Sequence, residues 1–170
     1  MVPIISIVGS SKSGKTTLIE QLIPEFLKRG YRVATIKHHG EDFQIDHTGK
    51  DSWRHKEAGA HTVIISSPQK VALVEDASHD HSPEELAARF IQGVDIIIAE
   101  GFKRAPHPKV EVFRKGTHPH PLAPELENVI AVASDNPLSL DIPCLSPNDI
   151  SGIADVIEEQ VVTAHKKGSD

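Results

Sequence analysis

The apolar run Ile4-Ile5-Ser6-Ile7-Val8 leads directly into Gly9-Ser10-Ser11-Lys12-Ser13-Gly14-Lys15-Thr16, which is followed by an amphipathic helical pattern. A strand, a glycine-bounded loop ending in Gly-Lys-Thr and a helix form a phosphate-binding loop, G-x-x-x-x-G-K-[ST]. The glycines let backbone N–H groups wrap an anion, Lys15 reaches the β- and γ-phosphates, and the Thr16 hydroxyl is placed to ligate Mg²⁺. The motif commits the chain to an open, mostly parallel sheet with its ligand at the carboxyl edge.

The following segments agree. Leu18, Ile19, Leu22, Ile23, Phe26 and Leu27 make a 3.6-residue stripe, stopped by Lys28-Arg29-Gly30. Pro24 lies inside it, where a missing N–H predicts a kink or an early end. A strand over 31–37 completes a β-loop-α-β unit, and residues 38–50 are a polar loop too long to be a mere connection. Asp51 reads as the cap of a short helix through Glu57. Thr62-Val63-Ile64-Ile65-Ser66 and 70–75, separated by Ser67-Pro68-Gln69, form a hairpin signal.

Ser82-Pro83-Glu84-Glu85 is a capping box with proline at the first helical position. The apolar run 95–99, ending in Glu100-Gly101, fits a central strand covered on both faces. Further strands are expected at 109–114 and 129–133, with a helix over 150–165 capped by Asn148. Residues 1–165 thus read as one nucleotide-binding domain with a three-layer α/β architecture, helices on both faces and a β-hairpin insertion. Residues 166–170 read as a flexible tail.

Composition narrows the function classes. A net charge of −6 argues against a nucleic-acid backbone as the main partner. No apolar stretch reaches membrane-spanning length, and no secretory leader is evident, so a cytosolic setting is expected. The single cysteine, Cys144, excludes an internal disulfide and multi-cysteine zinc sites, and reads as a small buried hydrophobe.

Glu100 is the candidate carboxylate brought toward Mg²⁺ or an attacking water from a neighbouring strand. The 38–50 loop supplies a second, Asp46, placed to change order with a γ-phosphate. Lys15, Asp46 and Glu100 are therefore the candidate catalytic residues, and Thr16, Asp46 and Glu100 the metal ligands. Lys37 and Lys103 follow strand ends, where a cation neutralises an anion. Asp135, after the 129–133 strand, is the candidate acceptor for the N1–H and exocyclic amine of guanine. Eleven histidines, dense at His38-His39, His79-Asp80-His81 and His118-Pro119-His120, keep a metallochaperone as an alternative. A small-molecule kinase is a second alternative, disfavoured because the chain has no arginine-rich lid segment.

Beyond the loop, Thr35-Ile36-Lys37-His38-His39, the run Asp46-His47-Thr48-Gly49-Lys50-Asp51-Ser52-Trp53-Arg54-His55-Lys56-Glu57-Ala58-Gly59-Ala60, and Ala99-Glu100-Gly101-Phe102-Lys103 stand out. With these segments the chain resembles, over roughly residues 3 to 160, the MobB family of molybdopterin-guanine dinucleotide biosynthesis adaptors, P-loop GTPases. The resemblance implies a weakly hydrolytic, dimeric GTP-binding protein that assists the guanylyltransferase attaching GMP to molybdopterin. It implies nucleotide contacts from Gly9, Ser10, Ser11, Lys12, Ser13, Gly14, Lys15, Thr16 and Thr17, and magnesium at Thr16 with Glu100 or Asp46. Ser10 stands where relatives in the same broad GTPase class often carry a signature lysine.

Overall fold

The computed structural model describes residues 2–167, with side-chain surroundings through His165. Its strands and helices are, in order, β1 (Ile4–Val8), α1 (Lys15–Lys28), β2 (Val33–Lys37), α2 (Asp51–Glu57), β3 (Thr62–Ser66), β4 (Val71–Glu75), α3 (Pro83–Phe90), β5 (Ile96–Glu100), β6 (Lys109–Phe113), β7 (Val129–Ser134), β8 (Cys144–Leu145), α4 (Ile150–Ile157) and α5 (Ala164–Lys167). A 3₁₀ turn spans Ala123–Glu125, and a π-helical stretch, Glu158–Thr163, joins α4 to α5. Two compact units result: residues 1–38 with 82–170, and residues 39–81.

The large unit is built on a six-stranded sheet in the order β2-β5-β1-β6-β7-β8, and each of its pairings is parallel. Alternation along the strands feeds two cores. Ile5, Ile7, Ile96 and Ile98 pack with Leu18, Leu22 and Phe26 of α1 and Ile153 and Ile157 of α4. Ile4, Ile97 and Ala99 pack with Ile36 and with Ala87 of α3. Burial on both faces explains why β1 and β5 read as nearly continuous apolar runs.

Helix α1 runs through Pro24 without ending. The proline forgoes one backbone bond, and the buried stripe Leu18, Ile19, Leu22 and Phe26 holds the segment helical around it. At the end of α1, Arg29 is held by Glu25 of the same helix (2.9 Å) and ties α1 to α4 through Asp155 (2.7 Å) and to the π-helical stretch through Glu158 (2.7 Å). The α3 capping box is present, with Ser82 Oγ accepting from the Glu85 N–H and Glu85 accepting from the Ser82 N–H.

Several local expectations need correction. The α4 cap is Asp149, whose carboxylate accepts from the Gly152 N–H at 3.0 Å, and not Asn148. Asp51 is the first helical residue of α2, preceded by Lys50 at the cap, so its charge favours the positive helix end without a capping bond. The helix expected as continuous over 150–165 widens into π geometry at Glu158–Thr163. The two-residue strand β8 carries no sequence signal of its own, and Cys144 within it is only half-buried. The tail begins in α5, which extends to Lys167; residues 168–170 lie outside the described residues.

In the 39–81 unit, β3 and β4 form a separate antiparallel pair, from Thr62↔Glu75 to Ser66↔Val71. Lys56 of α2 bonds to Asp76 at 2.7 Å and to the Ala60 carbonyl oxygen at 2.8 Å. Among the described residues no helix is long and apolar enough to cross a membrane.

Candidate nucleotide site

The phosphate loop leaves β1 at the carboxyl edge and enters α1 through Gly14, which is left-handed at φ 104°. Gly9 is irreplaceable there: an added Cβ would run into the Val112 carbonyl oxygen and come within 2.7 Å of Ser13 Oγ. Lys15 Nζ donates back to the Gly9 carbonyl oxygen at 3.3 Å and to that of Ser10 at 2.7 Å, so the ammonium lies across the mouth of the loop. Ser13 is 1% exposed, and its Oγ has no hydrogen-bond partner among the described residues. A buried hydroxyl without a partner, amides at a helix start and an ammonium held only by carbonyls suit an anion with several acceptor oxygens.

The Thr16 hydroxyl is exposed and donates to both carboxylate oxygens of Glu100, at 3.1 and 3.2 Å. Glu100 ends β5, the strand beside β1, and pairs in register with Lys37, whose Nζ lies 3.5 Å from its Oε1. Hydroxyl and carboxylate oxygens so placed are hard donors that fit Mg²⁺. Burial lowers the Lys15 pKa below its ordinary value, and Lys103 and Lys37 push the same way while Glu100 opposes them. The loop is thus electropositive, with Glu100 as local counter-charge. Gly101 turns the chain just after it at φ 98°, where a Cβ would stand 3.3 Å from that of His38.

The candidate residues therefore divide. Gly9 to Thr17, Glu100 and Lys37 come together on neighbouring strands. Lys103 makes no hydrogen bond or ion pair with them among the described residues, but its charge is felt at Lys15. Asp135 stands past the end of β7, 3.2 Å from Arg114 Nε. Asp46 belongs to the 39–81 unit, where its carboxylate accepts from the His47 N–H at 2.8 Å.

Three participants escaped sequence reasoning. Arg114 follows the end of β6 just as Lys37 stands at the end of β2, so strand-end position could have found it. Thr117 accepts from Ser10 Oγ at 3.0 Å, pinning the turn after β6 to the phosphate loop. Glu111, 1% exposed, accepts from the Leu122 and Ala123 N–H groups, both at 2.7 Å, and so anchors the segment that follows. Nothing adjacent in sequence announces those two donors, which only the tertiary fold supplies.

Residues 4–135 match the family model MobB, "Molybdopterin guanine dinucleotide synthesis protein B". The molybdopterin-guanine dinucleotide biosynthesis adapter protein of Haemophilus influenzae is 43% identical over 160 residues, covering 92% of this chain and 88% of the relative. That of Escherichia coli is 39% identical over 166 residues, covering 94% and 93%. A crystal structure of molybdopterin-guanine biosynthesis protein B superposes with a TM-score of 0.74 at 30% identity, covering 92% of this chain and 98% of the other. A parallel sheet carrying a phosphate loop, matched over nine-tenths of its length by such relatives, identifies the chain as a member of the MobB family.

Proposed function

We propose that this chain is a GTP-binding adaptor in molybdenum cofactor biosynthesis, acting at the step that joins GMP to molybdopterin. Its relatives carry the adaptor name. The observation that carries the nucleotide part is the contact of Thr16 with both oxygens of Glu100 beside the Lys15 ammonium. A hydroxyl and a carboxylate next to a phosphate loop are what a Mg²⁺-bound triphosphate requires.

In this reading Lys15 exchanges the Gly9 and Ser10 carbonyls for phosphate oxygens, and the loop amides with Ser13 Oγ take up the remaining acceptors. Thr16 and Glu100 would hold magnesium, with Lys37 steadying the Glu100 carboxylate from the next strand. Bound there, Mg²⁺ would supply positive charge to offset that of the phosphates. Asp46 is the second candidate acid, and it lies in the 39–81 unit. The setting is cytosolic, and the partners are a molybdopterin guanylyltransferase and a second copy of this chain.

Titration calorimetry with Mg·GTP and Mg·ATP tests the nucleotide assignment, with GTP expected to bind more tightly. Glu100→Gln should keep GTP bound while removing the magnesium dependence. With no arginine among the described residues assigned to the terminal phosphate, wild-type turnover should be slow, roughly 10⁻⁴ to 10⁻² s⁻¹. Equal magnesium dependence in Glu100→Gln would remove the carboxylate from the metal site. The adaptor part is tested by adding the chain and GTP to a molybdopterin guanylyltransferase: dinucleotide formation should accelerate with wild type and not with Lys15→Ala.

A further inference from the structure

The carboxyl edge of the sheet has a direction. Strand β1 carries the phosphate loop, with β5 and β2 on one side and β6 and β7 on the other. Thr16, Glu100 and Lys37, the groups suited to the metal and the terminal phosphate, converge on the β5 side. The nucleoside of a bound triphosphate must therefore run the other way. Strand β7 lies two strand spacings, roughly 10 Å, from β1, a span that a sugar and an α-phosphate can bridge.

Phe113 and Ser134 are register partners at the ends of β6 and β7, so Arg114 and Asp135 are the next residues over the rim. Arg114 Nε stands 3.2 Å from Asp135 Oδ2, and both side chains are about half exposed. The other end of the same guanidinium lies beside the phosphate loop: its Nη2 is 3.9 Å from where a Cβ on Gly14 would stand. The Ser10–Thr117 bond and the Thr117 bond to the Arg114 carbonyl oxygen (2.8 Å) tether this turn to the loop. Among the described residues Asp135 Oδ1 has no protein donor.

We infer that Arg114 and Asp135 form the base-reading end of the site, Arg114 being the positioning residue that aims the Asp135 carboxylate at a purine with a 2-amino-6-oxo edge. This rests on the nucleotide reading above. Guanine offers N1–H and an exocyclic N–H, two parallel donors for one carboxylate. Adenine places an acceptor at N1 and no amine at C2, so the carboxylate would be left facing a lone pair, a mismatch that discriminates strongly. The planar guanidinium suits the bridging position because it can hold a carboxylate while lying flat against a ring. Its position beside Gly14 sets the ion pair at the rim of the loop without filling the cradle.

Binding of Mg·GTP, Mg·ATP, xanthosine triphosphate and inorganic tripolyphosphate, measured on the full chain, tests this. Arg114→Met should leave tripolyphosphate affinity within about twofold and lower the GTP/ATP ratio by tenfold or more, with Arg114→Lys restoring only part. Asp135→Asn should prefer the xanthine nucleotide to GTP, because an amide donates to a 2-oxo group while still accepting from N1–H. Both sites are exposed, and thermal melts establish that the variants are folded. Equal losses of GTP and tripolyphosphate in Arg114→Met would make Arg114 a phosphate contact and overturn the inference. A wild-type GTP preference that survives both variants would overturn it while leaving the nucleotide reading intact. Failure of the wild-type protein to bind GTP or tripolyphosphate would overturn the nucleotide reading itself, and this inference with it.

Discussion

The six-stranded sheet and the β3–β4 hairpin are made from the same kinds of residue, yet they treat them in opposite ways. In the large unit Ile5, Ile7, Ile96, Ile97 and Ile98 are fully buried. In the 39–81 unit Ile64 is 60%, Ile65 48% and Val71 71% exposed, and of the residues of β3 and β4 only Val63 is buried. Two strands cannot cover their own faces, whereas a six-stranded sheet with α1 and α4 on one face and α3 on the other can. An apolar strand pattern thus reports what a segment needs to bury. A surface this apolar is expected to meet a partner, and a two-fold pairing of hairpins is the one proposed here.

If triphosphate binding belongs to the large unit and self-association to the hairpin, each should break alone. Lys15→Ala should lower Mg·GTP affinity by on the order of 10²-fold, about 2–4 kcal/mol for one charged contact, and leave the solution mass unchanged. Retained affinity in a folded variant would remove Lys15 from the site. Conversely, paired Ile64→Glu and Leu73→Glu changes should reduce the mass by light scattering from twice the 18.5 kDa chain value to that value, with GTP still bound. A wild-type monomer with or without GTP would end the dimer proposal.

Stability should divide along the same line. Ile97→Ala removes side-chain volume from a closed core and should cost about 3 kcal/mol in chemical denaturation. Ile64→Ala truncates an exposed side chain and should cost less than roughly 0.5 kcal/mol in the isolated chain. Comparable losses would mean that the hairpin has a core of its own.

The smallest effect is a difference in pH response. Lys15 titrates below its ordinary 10.5, chiefly because it is buried. Phosphate favours the ammonium form, so triphosphate affinity should be full below the depressed value and fall as pH rises through it, earlier than for an ordinary lysine. Lys15→Arg should abolish that alkaline decline if it still binds. In the hairpin unit Asp76 is lowered, chiefly by its bond to Lys56. Its contribution is present above the ordinary aspartate range and lost as pH falls through the lowered value. Loss of that acid response in Asp76→Asn, with alkaline binding unchanged, would confirm the division.

Much of this was legible along the chain because the signals are local. The phosphate loop, the α3 capping box, the apolar β1 and β5 runs and the Glu100 strand end each depend on residues adjacent in sequence, and the structure places all of them as read. The family, too, is written in contiguous segments. Where local readings failed, the path of the chain, its burial or a group distant in sequence decided the outcome. Asn148 and Asp149 are both competent caps, and only the chain path selects Asp149. Pro24 stays helical because α1 is buried along its length. Glu111 is tolerated in the interior because two N–H groups more than ten residues away meet it. The sequence by itself determined the phosphate loop, the strand and helix that flank it and two candidate acids, Glu100 and Asp46, since spacing and residue type suffice for those; the structure pairs Glu100 with Thr16. Only the tertiary structure decided that Arg114 stands between Gly14 and Asp135, because strand order and register, formed by contacts distant in sequence, are what bring three chain segments to one rim.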